Sequence, residues 1–173
     1  MPTTTNNGWS YPSSTDLVKD GATNFQTLAT GIDTSAGKSF LAWVTWAPTL
    51  SGGWANGNGT YSAQYVQIGK TIIWNLFFTV GTTTTKGSGM TFSLPVAATS
   101  SIAMQAVTGV VIVASNAYPV AVRSSGGSTM AVSVLNTGST YATFNAISGT
   151  TSPVPALWAT GDSVRLSGIY EAA

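Results

Sequence analysis

Five carboxylates are the side chains of this sequence best suited to acid–base chemistry: Asp16, Asp20, Asp33, Asp162 and Glu171. A glycosidase needs two carboxyl groups that face each other about 5–10 Å apart. Here the three N-terminal aspartates precede the strand-rich part of the chain, and the other two stand at opposite ends of the last predicted strand. Each of these positions has a structural explanation, since the residue lies in a turn, caps a helix or stands near a terminus. We therefore predict no catalytic residue and no metal site.

The missing residue types narrow the chemistry further. The chain contains no His and no Cys, which excludes a Ser-His-Asp or Cys-His relay, a thiolate zinc site, haem held by either residue, and disulfides. No side chain has an ordinary pKa near neutrality. We therefore expect a protein that is not an enzyme and that holds no cofactor.

The segment 81–88, GTTTTKGS, superficially resembles a phosphate-binding loop. In a Walker loop the glycines precede the lysine and a helix follows, whereas here Lys86 precedes Gly87 and a strand follows. A polar hairpin loop is the better interpretation. With six basic residues, five acidic residues and a net charge of +1, the chain also lacks the basic field that nucleic-acid binding requires.

Six aromatic residues crowd one third of the chain: Trp43, Trp46, Trp54, Tyr61, Tyr65 and Trp74. Strand alternation explains most of them as core residues. Trp54 is the exception, because it lies in the glycine-rich loop SGGWANGNG. Two interpretations stay open for it: a ligand contact that stacks on a sugar ring, or a side chain tucked under its own loop.

Three zones follow one another along the chain. Residues 1–15 are rich in Thr, Asn, Ser, Gly and Pro, and they predict an extended attachment arm or, alternatively, a segment without order. Its bulky groups, Trp9 and Tyr11, are candidate anchors for a neighbouring surface of the particle that carries the protein. Residues 16–37 predict a short helix and a linker, and residues 38–173 predict a β-sandwich domain.

The helix is predicted over residues 20–33. Asp20 is a suitable N-cap, and Phe25, Leu28 and Ile32 follow at spacings of three and four, which places them on one apolar seam. About 13 residues are marginal for an isolated helix in water. We therefore expect the seam to be covered, either by the chain's own domain or by copies of itself.

Beyond residue 38 the sequence predicts short strands joined by turns. The clearest predicted strand is 71–80, TIIWNLFFTV, in which every even-numbered residue is apolar, so that these residues predict a face that packs on the core. The opposite face carries Ile73 and Phe77 among polar residues. The other predicted strands are 41–47, 59–68, 90–94, 106–114, 118–124, 128–135, 141–146 and 163–170. We expect 59–68 to pair with 71–80, and 118–124 with 128–135, as hairpins. The pattern favours an all-β, antiparallel jelly-roll-like sandwich of about eight strands.

The hydropathy of the chain suggests neither a leader nor a membrane span. The N-terminus, MPTTTNNGWSYPSST, has no positive region followed by an apolar run, and residues 71–80 are too short to cross a bilayer. Only 6% of the residues are charged, so hydroxyl and amide groups must meet the solvent. We expect a soluble protein made in a cytoplasm, with no membrane insertion.

Three segments together resemble proteins of tailed bacteriophages. The segment similar to a module that precedes or anchors fibre domains is NGWSYPSSTDLVKDGATNFQTLATGID. The segment similar to the opening of a β-sandwich of minor tail and fibre proteins is WAPTLSGGWANGNGTYSAQYVQIGKTIIWNLFFTVG. The segment similar to the closing strand of that sandwich is WATGDSVRLSGIYEA. The resemblance implies a homotrimeric jelly-roll on the virion surface, assembled in the bacterial host cytoplasm and attached through its arm. Such fibres usually carry a long upstream shaft, whereas this arm begins at Met1, so we expect direct insertion into a larger assembly.

Three-fold packing would cover both predicted apolar surfaces, the seam of Phe25, Leu28 and Ile32 and the strand residues Ile73 and Phe77. The leading hypothesis is therefore a tail fibre or receptor-binding component that contacts other virion proteins and host-surface carbohydrate or protein. A trimeric capsid decoration or head-fibre protein is the alternative placement. A carbohydrate-binding module that acts alone is the rival from another class, and a depolymerising enzyme is disfavoured by the missing acid and base.

Overall fold

The structure, a computed structural model, describes residues 3, 11, 13, 15, 20–40, 42–99, 105–124, 127–138, 141–150 and 152–173. It describes the side chains of these residues except those of 35–40 and 105–107. The chain divides into two compact units, Met1–Ala42 and Trp43–Ala173. The first unit contains the helix α1, and the second contains the strands β1 to β10.

Helix α1 spans Gly21–Phe40 and begins directly after Asp20, which stands at the predicted N-cap position. It is longer than the predicted helix over 20–33, and it crosses the predicted domain boundary at residue 38. Apolar spacing ends at Ile32, so periodicity alone cannot detect the last two turns. No proline follows before Pro48, so nothing in the sequence forces the backbone out of the helix sooner.

The second unit consists of β1 (Val44–Thr45), β2 (Leu50–Ser51), β3 (Thr60–Ile68), β4 (Thr71–Thr79), β5 (Thr91–Ala98), β6 (Gln105–Val113), β7 (Asn116–Arg123), β8 (Gly127–Asn136), β9 (Thr143–Ala146) and β10 (Ser163–Glu171). Their order is β1-β3-β4-β10-β6-β7-β8-β5-β2, and β9 pairs with β8. The pairings are antiparallel. The predicted all-β, antiparallel, sandwich-like class is confirmed.

Strand β7 carries the sheet around a corner. Its residues Tyr118 and Pro119 pair with β6, whereas Val120 and Val122 pair with β8. Strands that are far apart in the strand order consequently face each other, as shown by Phe78 of β4 and Phe92 of β5, whose ring centroids are 5.9 Å apart. The sheet therefore curls around one apolar core.

The predicted core face of β4 is confirmed. Ile72, Trp74, Leu76, Phe78 and Val80 are each 2% exposed or less. The predicted inward residues of the next strand are also buried, together with the inner faces of β6, β8 and β10: Met90, Phe92, Leu94, Val111, Val113, Met130, Val132, Val134, Val164, Leu166 and Tyr170. Period-two alternation was sufficient to identify these faces because one side of each strand packs on the core.

Both predicted hairpin pairings are confirmed, but the first strand is much shorter than predicted. The β3–β4 register pairs Thr60 with Thr79, and the β7–β8 register pairs Val122 with Val132. Of the described residues 42–47, Val44–Thr45 alone form a strand, at the edge of the sheet beside β3. Pro48 offers no N–H with which to continue the ladder.

Two side chains connect distant elements of the second unit. The Asp162 carboxylate is buried and accepts hydrogen bonds from Ala114 N (3.1 Å) and Ala159 N (2.6 Å), which closes the turns at the starts of β7 and β10. The Tyr170 hydroxyl donates to Val96 O at 2.6 Å and accepts from Val96 N at 3.2 Å. These contacts give Asp162 a structural role and join β10 to β5 across the core.

Alkaline pH is expected to destabilise the fold, and pH 5–9 is expected to have little effect. The chain has no His, whereas burial raises the pKa of Tyr170 to about 12 and that of Tyr61 to about 12 from an ordinary 10.0. The folded chain thus keeps these protons while the unfolded chain loses them, so their stabilisation is complete below pH 10 and is lost as pH rises towards 12. By pH 11 we expect a loss of about 1 kcal/mol from each tyrosine, about 2 kcal/mol in total.

Urea unfolding of the full chain at pH 9, 10 and 11 measures this loss. Tyr170→Phe, which keeps the ring and removes the titrating hydroxyl, serves as the comparison. The unfolding free energy of the variant should fall less steeply above pH 10 than that of the unmodified chain. Parallel declines in the two proteins would show that Tyr170 does not hold its proton in the way described.

Candidate functional site

The second unit does not bring its two carboxylates together for catalysis. The Asp162 carboxylate accepts hydrogen bonds from two backbone amides, and Glu171 lies at the other end of β10. Asp20 and Asp33 belong to the first unit, and Asp16 lies outside the described residues. Among the described residues no three acidic side chains cluster to hold a metal ion.

The loop over residues 81–88 is held by polar contacts of its own. The Asn58 side chain accepts from Thr83 N at 2.8 Å and donates to Thr82 Oγ1 at 2.8 Å, and the Thr84 hydroxyl donates to Asn56 O at 2.7 Å. Lys86 Nζ donates to Trp158 O at 2.6 Å. The side chains of Thr82, Thr84 and Lys86 therefore already have hydrogen-bond partners within the protein.

Trp54 does not present its ring to solvent. It is 3% exposed and packs edge-on against Trp158, with ring centroids 5.2 Å apart. Of the two interpretations left open by the sequence, the structure shows the side chain tucked under its own loop. The prediction of a stacking ligand contact at Trp54 is corrected accordingly, because a buried ring has no free face for a sugar.

The most distinctive surface is the outer face of the sheet formed by β3, β4, β10 and β6. Register places its side chains in rows that cross the strands. One row contains Ser62, Phe77, Arg165 and Val110; the next contains Gln64, Asn75, Ser167 and Thr108; the third contains Val66, Ile73 and Ile169. Two rows with apolar members are thus separated by a row of amides and hydroxyls.

The third row continues into an apolar patch, which we define as Trp43, Val66, Ile73 and Ile169. Trp43 is 47% exposed and Ile169 is 41% exposed, while Ile73 and Val66 are half-buried. Trp43, Ile73 and Ile169 line a shallow groove of about 280 Å³. Large apolar side chains gathered at one exposed place are typical of an interaction surface, whereas single exposed ones are ordinary.

The first row forms a second and larger groove, of about 580 Å³, which we call the Arg165 groove. The Arg165 guanidinium carbon lies 4.8 Å from the centroid of the Phe77 ring, a cation–π distance. Phe77 is 38% exposed. The groove is bordered by Ser62, Thr108 and Ser167, and the last two hydroxyls are 3.2 Å apart.

The predicted helix seam is exposed in the structure of the first unit. Phe25 is 64% exposed, Ile32 is 40% exposed, and Leu28 is half-buried. Of the two candidate anchors in the arm, Tyr11 is 40% exposed and Trp9 lies outside the described residues. In the described part of the chain, no helix is both long and apolar enough to span a membrane.

The sequence did not single out Trp43, Arg165 or Ile169 as surface residues. Alternation in Ser163–Glu171 does place Arg165 and Ile169 on the outward face. Their neighbours Phe77 and Ile73 follow only from the pairing of β10 with β4. That pairing joins residues about 90 positions apart in the chain, a separation at which local patterns predict no register.

Comparisons with known proteins identify no relative. No family model matches the chain, no curated protein matches it, and no solved structure matches its fold. The fold class therefore stands on the structure, and the function has to be argued from the surfaces.

Proposed function

We propose that this protein is a homotrimeric structural component of a bacteriophage virion, a tail fibre or receptor-binding protein that attaches through its N-terminal arm. The observation that carries the proposal is the presence of two exposed apolar surfaces, the helix seam and the apolar patch, in a chain of which 6% is charged. Both surfaces would be covered by copies of the same chain. The virion itself is supported by the resemblance of three sequence segments to phage tail proteins.

Self-association is the arrangement that the helix favours. Phe25, Leu28 and Ile32 have the spacing of a coiled-coil seam, and in proteins most of the stability of a helix comes from packing of its apolar side. Few like charges oppose the approach of identical chains, since the net charge is +1. Closed symmetry with three copies covers a seam of this kind without leaving a free surface.

Attachment is assigned to the arm, residues 1–15, with Trp9 and Tyr11 as its apolar anchors. Tail placement is preferred over capsid decoration because the arm and sandwich motifs are mostly those of tail proteins. No catalytic activity is proposed. Reducing ends released from host-surface polysaccharide by the purified chain would overturn that part of the proposal.

Removal of residues 1–15 tests the attachment role. We expect the truncated chain to keep its fold and its oligomeric mass but to be absent from virions when it is supplied in infected cells beside the full chain. Trp9→Ala with Tyr11→Ala in the full-length chain is the finer comparison, since it removes only the anchors. Truncated protein present on purified virions at the occupancy of the full chain would contradict the proposal.

A further inference from the structure

The Arg165 groove has a feature that trimer formation does not require: an exposed cation that lies over an aromatic ring. Within the described part of the chain, the Arg165 guanidinium forms no ion pair and donates no hydrogen bond, while it lies 4.8 Å from the centroid of the Phe77 ring. Contact with the ring restricts the long side chain, so less rotamer entropy is lost when a ligand binds. Its donors remain available to an anion.

The rest of the groove is neutral. Of the described residues that line it, Arg165 alone is ionisable. Ser62, Asn75, Thr108 and Ser167 supply hydroxyl and amide groups, and the Thr108 and Ser167 hydroxyls are 3.2 Å apart. These side chains stand on four paired strands, so their spacing is fixed by the sheet rather than by a loop.

We propose that the Arg165 groove binds a sugar that carries one carboxylate, such as a uronic acid unit of a polysaccharide. The guanidinium would pair with the carboxylate through two parallel hydrogen bonds. The neighbouring hydroxyls both donate and accept, as the hydroxyls of a sugar do. Phe77 and Val110 would contact its apolar C–H groups.

A sugar fits these groups better than an acidic peptide does. A peptide rich in Asp or Glu would bring several carboxylates to a groove with one cation, and the remaining charges would lose water without a partner. The groove is shallow and open, with a volume of about 580 Å³, so it can seat one sugar unit along the sheet without enclosing it. The inference does not rest on the virion proposal. It requires the groove to stay open when chains associate through the apolar patch, and it therefore removes Phe77 from the trimer interface predicted from the sequence.

The experiment is a titration of the ¹⁵N-labelled full chain with sodium D-glucuronate, followed by NMR. D-glucose at the same ionic strength measures the binding of a sugar without the carboxylate, and sodium acetate measures the binding of a carboxylate without the sugar ring. A tetra-aspartate peptide measures the binding of the rival ligand, an acidic peptide. Arg165→Gln removes the charge. Arg123→Gln is the matched control, because Arg123 is also an exposed strand arginine but lies outside the groove.

Saturable shifts at the Arg165 Nε–H and at the Thr108 and Ser167 amides are expected with glucuronate, with at least tenfold weaker binding of glucose and acetate. Arg165→Gln should weaken glucuronate binding at least tenfold, and Arg123→Gln should not change it. Absence of saturable shifts, equal binding of glucose or acetate, tighter binding of the peptide, or an equal loss in Arg123→Gln would overturn the inference.

The oligomeric mass of the Arg165 variant distinguishes a failure of the groove proposal from a failure of the proposed function. Arg165→Gln should keep the mass of the unmodified chain. A change in mass would show that the groove lies in the contact between chains, in which case the ligand site is wrong while self-association stands. Arg165→Lys, which keeps a cation above Phe77, provides a second variant if Arg165→Gln fails to fold.

Discussion

Phe78→Ala will lower the free energy of unfolding by about 3–5 kcal/mol, the usual cost of removing a buried aromatic ring. Phe78 is 0% exposed. It stacks on Tyr61 with ring centroids 4.9 Å apart and packs edge-on against Phe92 at 5.9 Å, so it joins both halves of the curled sheet. Alanine would leave a cavity beside the rings of Tyr61 and Phe92.

Urea unfolding at one protein concentration measures the change, since association makes stability depend on concentration. Phe144→Ala is the matched control, because Phe144 lies on the edge strand β9 and is 43% exposed. It should cost less than about 1 kcal/mol. Similar losses in the two variants would contradict the core described here.

We expect Ile169→Glu to dissociate the proposed trimer into single chains. Ile169 lies in the apolar patch opposite Ile73, so a glutamate there would be removed from water on association without a partner charge. Such burial costs several kcal/mol, and each 1.4 kcal/mol is a factor of ten. We expect association to weaken by at least about a hundredfold.

Sedimentation velocity at micromolar concentration measures the dissociation, and circular dichroism checks that the variant is folded. Leu157→Glu is the control, because Leu157 is 74% exposed and lies outside the apolar patch. It should sediment like the unmodified chain. A folded Ile169→Glu variant with unchanged mass would exclude the patch from the contact between chains.

Local patterns were sufficient to predict the longer strands and their core faces, but not the two-residue strands β1 and β2 or the surfaces that the strands build together. Alternation identified the inner face of β4 because every inward residue from Ile72 to Val80 packs on the same core. The β3–β4 and β7–β8 pairings were predictable because each joins neighbours in sequence across a short turn. The insertion of β10 between β4 and β6 depends on the whole fold and has no such signal.

The candidate site illustrates the same limit. Ile73 and Phe77 were recognised as apolar residues on an outward face, and the structure separates them, one beside Ile169 and the other beneath Arg165. Trp54 was ambiguous because a glycine-rich loop predicts neither a buried nor an exposed tryptophan. Only the packing of that loop against Trp158 decides its burial.

The central claim is that copies of this chain cover its helix seam and its apolar patch, and sedimentation equilibrium of the unmodified protein tests it most directly. One chain has a mass of 17.7 kDa, so a trimer, at three times 17.7 kDa, has a mass of about 53 kDa. We expect the trimer mass at micromolar concentration, with the helix folded by circular dichroism. A mass of 17.7 kDa under the same conditions, with the helix still folded, would contradict the claim.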